Sequence, residues 1–123
     1  MITELKPNEV FVFGSNLAGR HGAGAALMAR EKFGAEYGVG HGPTGQCFAI
    51  PTKDHRMKVL PLEEIGVYVQ DFLLYAWKHP EKKFLVTLIG CGLAGYKPES
   101  IRPLFQLAAV DIPYNVILPK EFQ

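Results

Sequence analysis

Charge of one sign is the first thing this sequence lacks. Its 13 lysines and arginines stand against 12 aspartates and glutamates, a net charge of +1. No basic stripe is available to neutralise a run of phosphates, so the electrostatic signature of a nucleic-acid binder is missing. Long hydrophobic runs are also missing: the longest are strand-sized, which leaves nothing expected to span a membrane. The first residues do not show the basic-then-apolar pattern of a secretory signal. Cysteine is scarce. Cys47 and Cys91 lie in or beside strand-like runs, too few for a disulfide framework, and are expected to stay reduced. With His21 and His41 they have no metal-ligand spacing, so neither a metal nor a cofactor is expected. These absences suggest a soluble, cytoplasmic chain whose 123 residues form one domain, 1–123, with its own core. Oligomeric state cannot be read from the pattern.

Glycine, in contrast, is plentiful and localised. All 13 but Gly66 fall between Gly14 and Gly45 or between Gly90 and Gly95, so they mark places in the chain. The second group follows Phe84-Leu-Val-Thr-Leu-Ile89, a run with the apolar continuity of a buried parallel strand. After it, Pro98 and Glu99 stand where the first turn of a helix begins. Earlier, Val10–Phe13 reads as a strand that runs into Gly14–Gly24. A helix is expected from about Ala23 to Phe33, with Gly34 as its C-terminal glycine. Residues 35–45 read as a loop or a loose edge hairpin. Gln46–Ile50 reads as a strand closed by Pro51, followed by a polar loop over Thr52–Lys58. Pro61 opens the longest helix, to about Trp77, with Ile65, Val69, Phe72, Leu73, Ala76 and Trp77 on one face. A helix over Pro98–Ala109, kinked or restarted at Pro103, and a strand over Tyr114–Leu118 complete the chain.

This alternation predicts an α/β fold: three layers, α/β/α, around a mostly parallel mixed sheet. Ligands of such sheets sit beyond the carboxyl ends of the strands. The loops 14–24, 51–60 and 90–97 each follow a strand, so they are expected to line one edge. That edge would gather Asn16, Lys53, Asp54 and Tyr96 with the glycines.

Gly90-x-Gly92-x-x-Gly95 matches the dinucleotide fingerprint in form, but the acid expected some 20 residues on is missing from its place, since Asp111 precedes the final strand. Gly40-x-Gly42-x-x-Gly45 leads into a strand and carries no such reading. Gly14-x-x-x-x-Gly19-Arg20-His21 is a P-loop pattern without its lysine and hydroxyl. What remains is physical. Gly22-Ala23-Gly24-Ala25 and Gly90–Gly95 both precede helices and offer backbone N–H groups to an anion, and two such loops on one edge suit a pyrophosphate. Against this stands the reading that the glycines only permit tight turns and close approach. Lys53, leaving a strand end beside Asp54 and His55, is the candidate nucleophile, since an amine desolvated in a cleft is activated. Cys91 is either a thiolate near a helix N-terminus or a small buried filler.

Three blocks in this order and spacing resemble the macro domain, the α/β module that binds ADP-ribose, and are most similar to its terminal ADP-ribose protein glycohydrolase branch. They are Gly22-Ala-Gly-Ala-Ala-Leu-Met-Ala-Arg-Glu-Lys-Phe-Gly34, Phe48-Ala-Ile-Pro-Thr-Lys53, and Ile89-Gly-Cys-Gly-Leu93 with Tyr96 nearby. The resemblance implies a ligand site over Ser15, Asn16, Gly22, Ala23, Gly24, Ala25, Thr52, Gly90, Cys91, Gly92, Leu93, Ala94, Gly95 and Tyr96. It implies ADP-ribose, or an ADP-ribosylated macromolecule, as partner. In that branch the strand-end lysine, matched by Lys53, attacks the anomeric carbon with help from an acid just after the Gly-Cys-Gly-Leu motif. Ala94 holds that acid's position here, leaving Asp54 as the available substitute. Binding is therefore the leading expectation. The alternatives are a hydrolase acting on ADP-ribosylated substrate or on ADP-ribose 1''-phosphate, and a non-catalytic interaction protein with structural glycine loops.

Overall fold

The computed structural model describes residues 2–123. At its centre is β1 (Glu9–Asn16), flanked in parallel by β3 (Cys47–Lys53) on one side and β4 (Lys83–Val86) on the other. β5 (Val116–Ile117) adds in parallel to β4, and β2 (Gly42–Thr44) caps the far edge antiparallel to β3, so the order is β2-β3-β1-β4-β5. The α/β class and the mostly parallel mixed sheet are as the alternation predicts.

Both faces of the sheet are apolar because strand side chains alternate. Phe11, Phe13, Cys47 and Ala49 meet α1 (Gly24–Lys32) through Ala29 and Phe33. Val10, Val12, Phe48, Ile50 and Phe84 face the opposite way, toward α2 (Leu62–Trp77) and α3 (Pro98–Gln106). From α2 they receive Ile65, Val69, Phe72, Leu73 and Ala76, all fully buried. Trp77 does not join them. It is 50% exposed, with its indole N–H donating to the Asp111 carbonyl (2.7 Å), so the expected core stripe ends at Ala76. Pro103 sits inside α3 without ending it. A short 3-10 turn over Lys120–Phe122, which the sequence pattern did not suggest, buries Phe122 against Phe105 (centroids 5.5 Å apart).

The final strand is shorter than the expected Tyr114–Leu118, and three other strand ends differ in ways that shape the edge where the glycines lie. β3 does not stop at Pro51 but runs on to Lys53. β2 covers only Cys47–Ala49, so beyond it β3 has one strand neighbour, and a residue without an N–H is tolerated there. β1 continues to Asn16, pairing it with Lys53 after an irregularity at Ser15/Asn16. β4 ends early, at Val86. Both the amide and the hydroxyl of Thr87 donate to the Val12 carbonyl (3.0 and 2.8 Å), and the Ile89 amide turns back on Thr87 (2.8 Å). Leu88 leaves the sheet as an exposed residue.

Candidate functional site

Beyond the carboxyl ends of β1, β3 and β4 lies a cleft of about 740 Å³, within the range of small-molecule sites. Its walls come from three stretches: Gly14–Ala26, Thr52–Met57 and Thr87–Ala94. Of the residues expected there, Ser15, Asn16, Gly22, Ala23, Gly24, Ala25, Thr52, Lys53, Gly90, Cys91, Gly92, Leu93 and Ala94 line it. Asp54, Gly95 and Tyr96 do not.

Several of these residues act through backbone rather than side chain. The buried Ser15 hydroxyl donates to the Gly40 carbonyl, and the Thr52 hydroxyl to the Ser15 carbonyl (3.2 Å). Asn16 is fully engaged with Arg20: its Oδ1 accepts the Arg20 amide (2.9 Å) and its Nδ2 donates to the Arg20 carbonyl (2.8 Å). These side chains hold the walls in place. The Tyr96 hydroxyl likewise donates to the Leu60 carbonyl (2.7 Å), tying the second glycine loop to the chain entering α2.

The amides are the free groups. α1 starts at Gly24 behind Ala23, which has no side chain to cap it, and no acid lies in its first turn. The N–H groups of Gly24, Ala25 and Ala26 consequently have no acceptor among the described residues and carry the positive end of the helix dipole. In the second loop the amides of Gly92, Leu93 and Ala94 are equally free. This loop does not work as a helix start, however. α3 begins only at Lys97/Pro98, outside the cleft, and Glu99 occupies its first turn. The anion-binding capacity of the second loop is that of its own turns, with Gly90 and Gly95 at φ of +74° and +85°.

Most of the glycines adopt a positive φ or leave no room for a Cβ: at Gly19, for example, a Cβ would lie 2.2 Å from the Gly38 carbonyl carbon. Four of the 13, Gly14, Gly22, Gly66 and Gly92, have no positive φ and no prohibitively close neighbour. A Cβ on Gly14 or Gly66 would make ordinary contacts at 3.4 and 3.5 Å, and on Gly22 or Gly92 it would meet nothing within 4 Å. Of this last pair one lies on each loop, and both line the cleft.

The cleft contains two cations, Arg20 and the half-buried Lys53, and no carboxylate. Asp54 belongs to a separate tight turn. Its Oδ1 accepts the amides of Arg56 (2.8 Å) and Lys58 (3.0 Å), and these bonds, the Lys58 amide foremost, hold its carboxyl below the ordinary range. That turn carries Met57 to the cleft wall at φ +66°, the single non-glycine with positive φ among the described residues. Cys91 is a thiol here, not a thiolate: burial raises its pKa, and Glu99 and Glu121 raise it further. Cys47 is pushed up to about 12 by burial under α1 and is inert filler. No group of three or more metal-ligating side chains occurs among the described residues, and no helix there is long and apolar enough to cross a membrane.

Sequence reasoning did not name Arg20, Ala26, Met57, Thr87, Leu88 and Ile89 as wall residues. Arg20 and Met57 lie in loops expected at this edge, so the loop placement was a usable signal, whereas Thr87, Leu88 and Ile89 reach the wall because β4 ends early, which only the sheet defines. Compared with protein-family models, curated proteins and solved structures, the chain matches none.

Proposed function

We propose that the cleft binds ADP-ribose or a closely related derivative, free or attached to a macromolecule, with the pyrophosphate on the amides of the Gly22–Ala25 and Gly90–Ala94 loops. The observation that carries this reading is the pair Gly22 and Gly92. A glycine that the backbone does not require is a conformational liability, and the reason that remains is close approach of something the protein does not itself contain. Two such glycines on facing loops argue against purely structural glycines. Free amides on both loops, two cations and no acid in the cleft favour an anion.

A hydrolase acting on ADP-ribosylated substrate or ADP-ribose 1''-phosphate is the second reading, favoured by the placement of Lys53 at the cleft wall. Binding ranks ahead because no carboxylate in the cleft can assist the lysine's proton transfers. Calorimetric titration with ADP-ribose tests the first reading: saturable heat supports it, and no heat at millimolar ligand removes both. Release of ADP-ribose from a modified protein, abolished by Lys53→Ala, would promote the second reading over the first.

A further inference from the structure

Arg20 is exposed, yet the loop that carries it is tied down on both sides of it. On its N-terminal side the buried Asn16 amide grips both the Arg20 N–H and the Arg20 carbonyl. Gly19 lies against Gly38, whose amide donates to the Gly19 carbonyl (2.9 Å). On the C-terminal side the fully buried His21 ring donates from Nε2 to the Val39 carbonyl (3.1 Å). The side chains of Asn16 and His21 and the backbone of Gly19 are thus committed to partners within the protein, while Arg20, which lines the cleft beside Asn16, is exposed. Its guanidinium has no hydrogen bond, no ion pair and no aromatic partner among the described residues; the one side-chain ion pair there is His41–Asp71. A rigid backbone that presents an unpaired, always-charged fork to an acid-free cleft is preorganised for a partner from outside.

We infer that Arg20 is the residue by which the cleft demands a phosphate: its guanidinium makes a charge-assisted, forked contact with a phosphate oxygen pair of the bound ligand, beside the uncharged contacts from the loop amides. Asn16 is the positioning residue that holds it. This inference rests on the proposed binding of ADP-ribose and adds which side chain reads the ligand's charge.

The test is calorimetry of the full chain with ADP-ribose over a series of salt concentrations, for wild type, Arg20→Gln and Arg20→Lys, with each protein's melting temperature measured alongside. A charge-assisted pair of this kind corresponds to a loss of roughly ten- to hundredfold in affinity on removal. Arg20→Gln is expected to show that loss and a shallower dependence of affinity on salt. Arg20→Lys is expected to keep the salt dependence while recovering only part of the affinity, because lysine is a point charge without the fork. Melting temperatures are expected to be unchanged, since the guanidinium has no partner in the protein. An Arg20→Gln protein that binds within about twofold of wild type with the same salt dependence overturns the inference while leaving the binding reading intact. Affinity lost together with melting temperature overturns it too, as a structural effect. No binding by wild type overturns the ligand reading and this inference with it.

Discussion

The His21 ring lies between Phe13 and Tyr37, edge-on to both. Its Nε2 is bonded to a carbonyl, so Nε2 carries the proton and Nδ1 must act as acceptor, yet Nδ1 meets no donor. Burial lowers the imidazole pKa, offset in part by the Val39 carbonyl, with Arg30 adding a smaller lowering. The unfolded chain therefore binds the proton more tightly than the folded one. The stability from a neutral His21 is complete above the ordinary value of 6.5 and is lost as pH falls below it. Melting temperature is expected to drop between pH 7.5 and pH 5, and to drop less in His21→Gln; parallel profiles for the two proteins would refute the assignment. Asp54 acts in the same direction but in a separate window, below its ordinary 3.8. A second prediction at this scale concerns Gly22 and Gly92. Replacing either with alanine is expected to leave stability unchanged or raise it by about 0.4–1 kcal/mol, because the unfolded chain loses freedom and nothing is struck in the fold. The same substitutions are expected to weaken ADP-ribose binding at least tenfold. Chemical denaturation and calorimetry read the two effects independently, and loss of stability without loss of affinity would return these glycines to a structural role.

At the scale of the element, α1 shows how a local weakness serves a site. Its last turn carries Arg30 and Lys32, which suit the negative end of the dipole, and Gly34 follows at φ +79°. Its first turn is left bare. Alanine is a poor N-cap, and an aspartate at position 23 would stabilise the helix by roughly 1 kcal/mol. The same carboxylate would occupy the free amides and repel an anion. Ala23→Asp is expected to raise the melting temperature and to weaken ADP-ribose binding, and tighter binding in that variant would count against the phosphate reading. This helix was legible in the sequence nearly to its ends, as was α2, because helix formers, glycine stops and apolar periodicity all act locally. The strand ends were not. Whether Pro51 closes β3 depends on where its neighbour β2 stops, and whether Ile89 belongs to β4 depends on Thr87 turning onto Val12. Asn115 was also invisible: its Nδ2 donates to the carbonyls of Ala76, His79 and Lys82 (3.1, 3.1 and 2.9 Å) and closes the end of α2.

Across the whole molecule, the site arises from topology. The chain leaves β1 for β3 over one face through α1, then crosses from β3 to β4 over the other face through α2. The carboxyl end of β1 is where the strand order reverses, and a crevice opens there in sheets of this kind. Gly14 at that end lies so close to the second loop that a Cβ would touch the Gly90 nitrogen at 3.4 Å. Because the cleft joins all three crossovers, a ligand bound there is expected to stabilise the entire domain. At ADP-ribose a hundredfold above its dissociation constant the gain is about 2.7 kcal/mol, or roughly 10 °C in melting temperature for a chain of this size. A thermal shift that does not grow with ligand concentration would contradict coupling between the cleft and the fold.

The sequence by itself determined the α/β class, the neighbouring ends of β1, β3 and β4, and the grouping of both glycine loops with Lys53. Hydrophobic alternation and helix punctuation are local, and right-handed crossovers then leave few arrangements. Tertiary structure alone decided which groups in that neighbourhood are free. Asn16, Ser15, Thr52 and Tyr96 are occupied with backbone partners, Asp54 caps its own turn, and the second loop stands apart from the start of α3. Arg20, Gly22 and Gly92 are left facing the cleft with nothing to bind in the protein. Spacing along the chain cannot show this, because whether a polar group is already paired depends on contacts between segments distant in sequence.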